Sequence, residues 1–477
     1  MKRLLVANRG EIARRIIRTA RRMGIETVAI YSDADTASMH VREADSAIRL
    51  EGLTPRETYL DMDHVIRAIC RSGADAVHPG YGFLSENPAF ATRCALEGVR
   101  FIGPTPDAIE SLGSKTNARK IAIKSGVPVM PGTTAGITSI EEARGVADSI
   151  GYPVLLKAAA GGGGKGMRVV ERAEDLEDAL RMARGESMTA FGSDEVFLEK
   201  YVTNPRHIEI QIVADSSGTV LVLGERECSI QRRHQKIVEE TPSMALDDDL
   251  RARMFASAEK LVRGAHYTNA GTLEFLLDSQ GNYYFLEVNT RLQVEHTVTE
   301  MVTGLDIVEL QIRVARGERL ELTNDRITRR GHSIECRISA EDVRANFVPS
   351  IGTVRDLVEP RMEHLRIDSS LYPGMQVTPY YDPMLAKVIS WGETREDAIA
   401  LMLRALEAYH IAGISTTIPF CRFVLEHPAF RSGEYSTGFV GEYWSDMETD
   451  IPQATLAVAA AAAVRASERF AERAIPG

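Results

Sequence analysis

The sequence predicts an α/β protein of several domains. Strand and helix signals alternate over residues 1–112, a second alternating unit with a glycine-rich loop follows over 113–202, and strands mix with helices over 203–447. Strands that alternate with helices are typical of sheets covered by helices. The 477 residues are enough for roughly two to four domains that share buried cores.

Composition and charge narrow the class of protein. Hydrophobic residues make up 44% and charged residues 26% of the chain, and the net charge is −11 at pH 7. A chain this acidic repels nucleic acids and anionic membranes, so we expect neither as a partner. The five cysteines (Cys70, Cys94, Cys228, Cys336 and Cys421) are scattered and form no CxxC pair, so neither a zinc site nor a disulfide framework is indicated. The apolar N-terminal run is too short for a signal peptide or a membrane span, so we expect a cytoplasmic protein.

The first unit alternates strands with helices. They are predicted at Leu4–Ala7, Glu11–Met23, Thr27–Tyr31, Tyr59–Ser72 and Ala76–His78. This βαβ pattern indicates a parallel, doubly wound sheet. The first turn, Asn8-Arg9-Gly10-Glu11, lacks GxGxxG, so a nicotinamide oxidoreductase is a weak interpretation. The loop His78–Glu86 follows the third strand, at the end where open α/β sheets bind ligands.

The later units contain further elements in mixed order. Helices are predicted at 115–124, 176–184, 395–410 and 420–426, and strands at 154–158, 196–199, 207–212, 271–277, 283–289, 333–338 and 384–390. The alanine-rich tail from Pro452 has high helix propensity.

A glycine-rich loop, Gly161–Gly166, lies between two strands of the second unit. Glycines let the backbone approach a polyphosphate, and Lys157 and Lys165 add positive charge, so we predict a phosphate site. The loop is not a Walker A motif, because no GK[ST] opens a helix. A flexible hairpin tip is the alternative.

Two glutamates are predicted to face each other on a β-hairpin, because Glu274 and Glu287 lie nearly equally far from the turn between strands 271–277 and 283–289. Facing carboxylates repel each other, and a hard divalent cation such as Mg²⁺ or Mn²⁺ removes the conflict. Asn289 shares the face of Glu287 and completes the predicted metal site. A solvated edge with unpaired glutamates is the alternative.

The segment after this hairpin combines a cation with a carboxylate. Arg291 is suited to hold a small anion, and Glu295 is placed to take a proton from it. A surface ion pair between these two residues is the alternative. Arg337 lies between apolar residues of a predicted strand and needs a partner if buried, for which an anion is one candidate.

Two more segments indicate a cleft. His207, Glu209 and Gln211 share one face of a strand, as in a cleft floor or an ordinary half-exposed strand. The basic run 227–236 lacks the aromatic neighbours of nucleic-acid binders. It therefore favours a pocket for an anionic substrate, with a solvated charge run as the alternative.

Together these segments resemble the biotin carboxylase family of the ATP-grasp superfamily. The matching strings are LLVANRGEIARR, HPGYGFLSEN, YPVLLKAAAGGGGKGMRVV, EKYVTNPRHIEIQI, ERECSIQRRHQKIVEE, FLEVNTRLQVEH and ECRISAED. The resemblance implies an ATP-grasp fold. Its parts are an N-terminal Rossmann-like domain over 1–112, an ATP-grasp domain over 113–330 with a mobile lid at about 130–202, a C-terminal α+β domain over 331–447 and a helical tail over 448–477.

The resemblance also implies roles for individual residues. ATP contacts are implied for Lys115, Lys157, Gly161, Gly162, Gly163, Gly164, Gly166, Glu199, Lys200, Val202, His207, Gln231 and His234. Two Mg²⁺ or Mn²⁺ ions are expected on Glu274, Glu287 and Asn289. The bicarbonate pocket is matched by Lys236, Arg291, Gln293, Val294 and Glu295, with Glu295 as the base. Biotin is expected near Tyr81, His234, Gln235 and Arg337, with Arg337 stabilising its enolate.

The implied reaction is the ATP-dependent carboxylation of biotin by bicarbonate through carboxyphosphate, as in the first half-reaction of acyl-CoA or pyruvate carboxylases. The only Met-Lys is Met1-Lys2, so no Met-Lys-Met biotinylation site exists and we expect biotin on a separate carrier protein, together with carboxyltransferase subunits. A homodimer is implied. The final acceptor stays open among acetyl-CoA, propionyl-CoA, another acyl-CoA and pyruvate.

Departures and alternatives accompany this interpretation. Thr297 and Val343 stand where the family usually has proline, and we expect looser loops there with unchanged chemistry. The alternatives are another ATP-grasp ligase that passes an acyl phosphate to an amine, and a non-catalytic protein that senses ATP. The tail is expected either to dock a partner or to be a solvated helix.

Overall fold

The computed structural model describes residues 1–133, 135–158, 167–191 and 194–444. The chain forms two compact units, Met1–Phe439 and Val440–Gly477, and the second is described only over 440–444. The predicted loop Gly161–Gly166 and the predicted tail helix lie outside the described residues. Within the described ranges, no helix combines the length and the apolar character needed to cross a bilayer.

The N-terminal part is built on a parallel five-stranded sheet. Its elements are β1 (Arg3–Val6), α1 (Gly10–Arg22), β2 (Glu26–Tyr31), α2 (Met39–Glu43), β3 (Ser46–Arg49), α3 (Met62–Ser72), β4 (Ala76–His78), α4 (Pro88–Leu96), β5 (Arg100–Phe101) and α5 (Pro106–Gly113). The strand order is β3-β2-β1-β4-β5, with every pair parallel, as predicted. The helix predicted from Tyr59 starts at Met62, because the Asp61 carboxylate accepts from the His64 amide and caps it.

A small three-stranded unit follows. Its elements are α6 (Lys115–Lys124), α7 (Ile140–Ile150), β6 (Val154–Ala158), β7 (Met167–Val170), α8 (Leu176–Phe191) and β8 (Val196–Lys200). The strands are antiparallel in the order β7-β6-β8. Buried side chains of α7 and α8, such as Ala147 and Leu180, pack with Leu156 and Leu198 of the sheet. Helix α8 runs past the predicted end at Arg184.

The rest of the first unit is organised around one large sheet. Its first elements are β9 (Arg206–Ala214), β10 (Val220–Arg232), β11 (Gln235–Thr241), α9 (Asp248–Gly264), β12 (Asn269–Leu277), β13 (Tyr283–Asn289), α10 (His296–Thr303), α11 (Ile307–Ala315) and β14 (His332–Ser339). The later ones are β15 (Glu341–Asp342), β16 (Val348–Pro349), β17 (Gly352–Thr353), β18 (Asp356–Val358), β19 (Leu365–Ser369), β20 (Gln376–Val377), β21 (Met384–Gly392), α12 (Arg395–Ala408), β22 (His410–Ala412), α13 (Ile418–Glu426) and α14 (Pro428–Ser432). The last helix, α15 (Phe439–Tyr443), begins at the final residue of this unit, and its other residues belong to the second unit.

Eight antiparallel strands form this sheet in the order β13-β12-β9-β10-β11-β14-β21-β19. The pairing of β11 with β14 makes the sheet continuous from the β12–β13 hairpin to the C-terminal part. On β9, Ile208, Ile210 and Ile212 belong to the same buried core as Leu250 and Leu261 of α9. The polar residues of β9 therefore lie on the opposite side of the sheet, which is the side of the candidate site.

Glu240 joins three parts of this region. It is buried on β11 and accepts hydrogen bonds from His332 of β14 at 2.7 Å and from Arg395 of α12 at 2.7 and 3.0 Å. Burial alone would raise the pKa of Glu240, but the hydrogen bonds and charges of His332 and Arg395 lower it from 4.5 to about 2. Glu240 is therefore an ionised anchor.

We expect Glu240 to make folding sensitive to acid. Its pKa is lower in the folded than in the unfolded state, so its stabilisation is present above about pH 4.5 and disappears as the pH falls towards 2. At 1.36 kcal/mol per pH unit, the free energies of unfolding of wild type and Glu240→Gln should differ by on the order of 3 kcal/mol at pH 7. Urea denaturation at pH 7 and pH 2.5 measures this. A difference that stays constant would contradict the prediction.

Candidate active site

A cavity of about 900 Å³ lies between the polar side of the large sheet, the three-stranded sheet and the C-terminal part. It collects nearly all of the predicted site residues that the structure describes. Those lining it are Lys115, Lys157, Glu199, Lys200, Val202, His207, Gln231, His234, Gln235, Lys236, Glu274, Glu287, Asn289, Arg291, Gln293, Val294, Glu295 and Arg337. Residues separated by more than two hundred positions in the chain thus share one cleft.

Tyr81 is the predicted residue that does not line this cavity among those described. Its hydroxyl donates to the buried carboxylate of Glu11. Its carbonyl accepts from the Asn8 side chain at 2.7 Å. The loop carrying Tyr81 is therefore fixed to the N-terminal sheet, and its contact with biotin stays a prediction.

Lys236 lies at the centre of the site and contacts three carboxylates. Its ammonium is 2.6 Å from Glu209, 2.9 Å from Glu274 and 2.6 Å from Glu295. Burial alone would lower the pKa of Lys236, but the three carboxylates raise it well above its usual value. Lys236 therefore remains a cation in a water-poor setting, where it can hold an anion.

Glu295 is a buried, ionised carboxylate. One oxygen accepts from Lys236 and the other from Arg337 at 3.0 Å. Burial alone would raise the pKa of Glu295, but Lys236, Arg337 and Arg226 hold it well below its usual range. Glu295 is therefore ionised and has the free oxygen electron pairs that a base needs, and its basicity increases when a bound anion shares the positive charge around it.

Arg291 pairs with Glu86 rather than with Glu295, so the surface ion pair considered from the sequence is wrong. Its Nε donates to Glu86 at 2.7 Å, and its Nη2 donates to Asn289 at 2.9 Å. Glu86 also accepts from the Thr290 amide at 2.9 Å. The sequence analysis missed Glu86 as a partner, although the residue ends the loop singled out after the third strand.

Arg337 lies between two carboxylates, Glu239 and Glu295. Its Nε donates to Glu239 at 2.6 Å. Burial raises the pKa of Glu239, and the negative charges of Glu335 and Glu295 raise it further. The positive charge of Arg337 acts against them, and the resulting pKa is about 8. The guanidinium is therefore partnered without a bound anion and still faces the cavity.

Glu274 and Glu287 are direct cross-strand partners on β12 and β13, which confirms the predicted pairing. Glu274 is buried and accepts from Asn289 at 2.9 Å and from Gln293 at 3.0 Å. Glu287 is partly exposed and lies 3.3 Å from the Lys115 ammonium. The solvated-edge alternative is therefore wrong for Glu274. The oxygen-rich donor set fits a hard divalent cation such as Mg²⁺.

The cleft floor is a buried polar network that the sequence analysis recognised only in part. Arg226 is fully buried and contacts Glu209, which is its direct partner across β9 and β10. Its other acceptors are Gln211 at 2.7 Å, Gln293 and Thr299 at 3.0 Å, and Thr272 at 3.1 Å. His207, Glu209 and Gln211 are buried. The alternative interpretation, that this segment is an ordinary half-exposed strand, is therefore wrong.

On the opposite wall, lysines of the three-stranded unit are held by local partners. Lys157 contacts the carboxylate of Glu199. The Lys200 ammonium donates to the carbonyls of Gly151 and Tyr152, both at 2.9 Å. Both lysines line the cavity, and the partners named here belong to their own unit and not to the cavity floor. Their contacts with ATP stay predictions.

The looser loops expected at the two departures stay a prediction. Thr297 is buried in the first turn of α10, and its hydroxyl donates to Glu335. Val343 is buried in a short 3₁₀ turn. Both side chains therefore pack inside the protein.

Comparison with known proteins agrees with this geometry. Three family models match in order: the N-terminal domain of biotin carboxylase over 1–109, the ATP-binding domain of the carbamoyl-phosphate synthase L chain over 114–323, and the C-terminal domain of biotin carboxylase over 335–442. Biotin carboxylase 1 of Bacillus subtilis is 49% identical over 93% of this chain and 99% of its own. The 2-oxoglutarate carboxylase small subunit of Hydrogenobacter thermophilus is 46% identical over 93% of both chains.

Solved structures give the same result. The biotin carboxylase–βγ-ATP complex of Campylobacter jejuni matches with a TM-score of 0.87 and 45% identity over 92% of this chain and 98% of that one. The biotin carboxylase domain dimer of Hydrogenobacter thermophilus 2-oxoglutarate carboxylase, solved with MgADP, ADP and bicarbonate, matches with a TM-score of 0.86 and 46% identity over 92% and 97%. The fold and site thus define an ATP-dependent ligase of the ATP-grasp type. The chain belongs to the biotin carboxylase family.

Proposed function

We propose that this chain uses ATP to carboxylate biotin with bicarbonate, and that Glu295 starts the reaction as a base. The observation that carries the proposal is the position of Glu295, ionised between Lys236 and Arg337 on the wall of the cavity. The cavity also contains the predicted ATP and metal residues. A base, an anion pocket and a nucleotide pocket therefore adjoin one another.

The anion pocket favours proton transfer. A bicarbonate ion beside Lys236 and Arg291 shares the positive charge of Lys236, which otherwise stabilises the Glu295 carboxylate, and sharing it raises the proton affinity of Glu295. Glu295 then takes the bicarbonate proton, and the resulting oxyanion attacks the γ-phosphorus of ATP. ADP leaves, and carboxyphosphate forms.

The second half of the reaction uses Arg337. Carboxyphosphate separates into CO₂ and phosphate, and phosphate takes the N1′ proton of biotin. The biotin enolate, paired with the Arg337 guanidinium, attacks CO₂ and gives carboxybiotin. A positive group fixed where negative charge develops is the usual source of such stabilisation. The predicted contacts of Tyr81, His234 and Gln235 belong to this step.

Glu274, Glu287 and Asn289 would hold Mg²⁺ or Mn²⁺, expected as two ions, together with the phosphates of ATP. When bound, these ions neutralise the charge on the transferring phosphoryl group. Lys115, next to Glu287, is exposed, so it is free to turn towards the phosphates. The MgADP in the Hydrogenobacter structure supports this assignment.

We also propose the larger assembly. Biotin arrives on a separate carrier protein, and a carboxyltransferase transfers the carboxyl group from carboxybiotin to the acceptor and regenerates biotin. We propose this because a relative of similar length is named as the small subunit of a carboxylase. A homodimer is proposed because the Hydrogenobacter domain was solved as a dimer. The domain limits of 1–112, 113–330 and 331–447 are proposed because the family-model matches end close to them.

The test is phosphate release from Mg-ATP by the full chain. Release that requires bicarbonate and increases with free biotin supports the proposal, and ¹⁴C-bicarbonate should appear in carboxybiotin. Release without any response to biotin, but stimulated by an amine, would support the alternative ligase that transfers an acyl phosphate. No bicarbonate-dependent release at all would indicate a non-catalytic protein.

A further inference from the structure

A layer of buried charged side chains lies behind the candidate base. Arg337 on β14 is the direct partner of Lys387 on β21, and Lys387 is the direct partner of Asp368 on β19. Direct partners in antiparallel strands project to the same face of a sheet. Glu335 shares this face, two residues before Arg337. Helices α1 and α10 pack against these strands, and Glu335, Lys387 and Asp368 are buried, whereas Arg337 faces the cavity.

Lys387 is the innermost member of this layer and is fully buried. Its ammonium donates to the Val294 carbonyl at 2.7 Å. Its nearest carboxylate is Glu11 of α1, whose Oε2 lies 3.7 Å away. The other oxygen of Glu11 accepts from the Tyr81 hydroxyl. A continuous chain of contacts therefore runs from the Tyr81 loop to the peptide that precedes Glu295.

This peptide needs an outside partner. Residues 290–295 lie between β13 and α10. The Glu295 carbonyl accepts from the Val298 amide of α10 at 3.3 Å, but the Val294 carbonyl has no backbone partner among the described residues. A buried carbonyl without a partner is costly. The Gln293 carbonyl is satisfied by His296 at 2.7 Å, and the Val294 carbonyl by Lys387. The direction of the Val294–Glu295 peptide is thus fixed by a side chain from another part of the sheet.

Burying an ammonium for this purpose is expensive. Hydrophobic replacement of buried ion pairs is often neutral or stabilising, so packing alone does not require a lysine here. The geometry points instead to a role in the site, because the Lys387 ammonium is the donor that orients the peptide carrying Glu295.

We propose that Lys387 is a positioning residue for the bicarbonate step. It fixes the peptide between Val294 and Glu295, and through Glu11 it couples this peptide to the Tyr81 loop. Lys387 contacts no substrate group itself. The inference rests on the proposed role of Glu295 as the base.

The test compares Lys387→Met with Val388→Ala in the full chain. Methionine keeps the length and removes the donor. Val388 is the next residue of β21, is equally buried and points to the opposite face, so its variant controls for lost stability. Because a misplaced reacting group costs up to about a hundredfold, we expect Lys387→Met to lower kcat of bicarbonate-dependent phosphate release about ten- to a hundredfold. The KM for ATP should stay within about twofold, and Val388→Ala should keep kcat.

A second variant covers the case in which Lys387→Met does not fold. Glu11→Gln combined with Lys387→Met removes both charges together, avoids an unpaired buried carboxylate, and should show the same fall in kcat. A folded variant of either kind with kcat within about twofold of wild type would overturn the inference and leave the proposed function intact. Absence of bicarbonate-dependent release in wild type would instead overturn the proposed function.

Discussion

Glu295→Gln should nearly abolish bicarbonate-dependent phosphate release while the chain stays folded. Glutamine keeps the size of the side chain and can still face Lys236 and Arg337, but it has no carboxylate to take a proton. Loss of a positioned general base commonly costs about 10²–10⁴ in rate. The measurement is steady-state phosphate release at saturating Mg-ATP and bicarbonate. Nucleotide affinity should be little changed, because Glu295 lies in the anion pocket and not among the residues expected to contact ATP.

A matched control separates lost chemistry from lost stability. Glu240 is also a buried carboxylate, and it accepts from His332 and Arg395, but it is not among the residues that line the cavity. Glu240→Gln should therefore lower stability at pH 7 and keep kcat near the wild-type value. If Glu295→Gln retained more than about a tenth of the wild-type rate, proton transfer to Glu295 would no longer be tenable, and another base would be required.

Local features of this site were predictable from the sequence because few residues encode them. The spacing of Glu274 and Glu287 about their turn predicted that they lie near each other, because hairpin register is set largely by the turn. A β-bulge between Glu274 and Phe275 then makes the two glutamates direct partners. The positions of β1, β4 and α3 were predictable in the same way, from short runs or periodic patterns of apolar residues. Their ends were less certain, because an end such as Met62 depends on one capping side chain.

The electrostatic network was not predictable in this way. Arg337 and Glu239 are 98 residues apart, and Lys387 and the Val294 carbonyl are 93 apart. Contacts at such separations leave no periodic signal, and a buried charged strand face has the same sequence pattern as a solvated one. For this reason the strand face that carries Glu209 and Gln211 could be read from the sequence either as a cleft floor or as a half-exposed surface.

The turn between β10 and β11 was also not predictable from the sequence. Arg233 and His234 occupy it with φ angles of 50° and 66°. Two-residue turns of this kind usually carry Asn-Gly, so the sequence suggested only a basic run. The turn holds both side chains in the cavity lining, which is where an anionic substrate would meet them.

Arg226→Met should cause the largest loss of stability of any substitution considered. The guanidinium is fully buried and contacts Glu209, Gln211, Thr272, Gln293 and Thr299. Its removal leaves Glu209 with Lys236 as its remaining cation and leaves several amide and hydroxyl groups without this donor. Breaking a buried pair from one side costs about 3–5 kcal/mol, a large part of a typical folding free energy of about 5–15 kcal/mol.

Urea denaturation followed by circular dichroism measures the effect, with Arg263→Met as the control. Arg263 pairs with Glu259 on the surface of α9 and is half-exposed, so its loss should cost no more than about 0.5 kcal/mol. Because Arg226 also donates to Gln293 in the proposed bicarbonate pocket, the folded fraction of Arg226→Met should have a raised KM for bicarbonate. A loss of stability below about 1 kcal/mol would mean that water or Lys236 replaces the guanidinium, and that the floor of the site does not depend on Arg226.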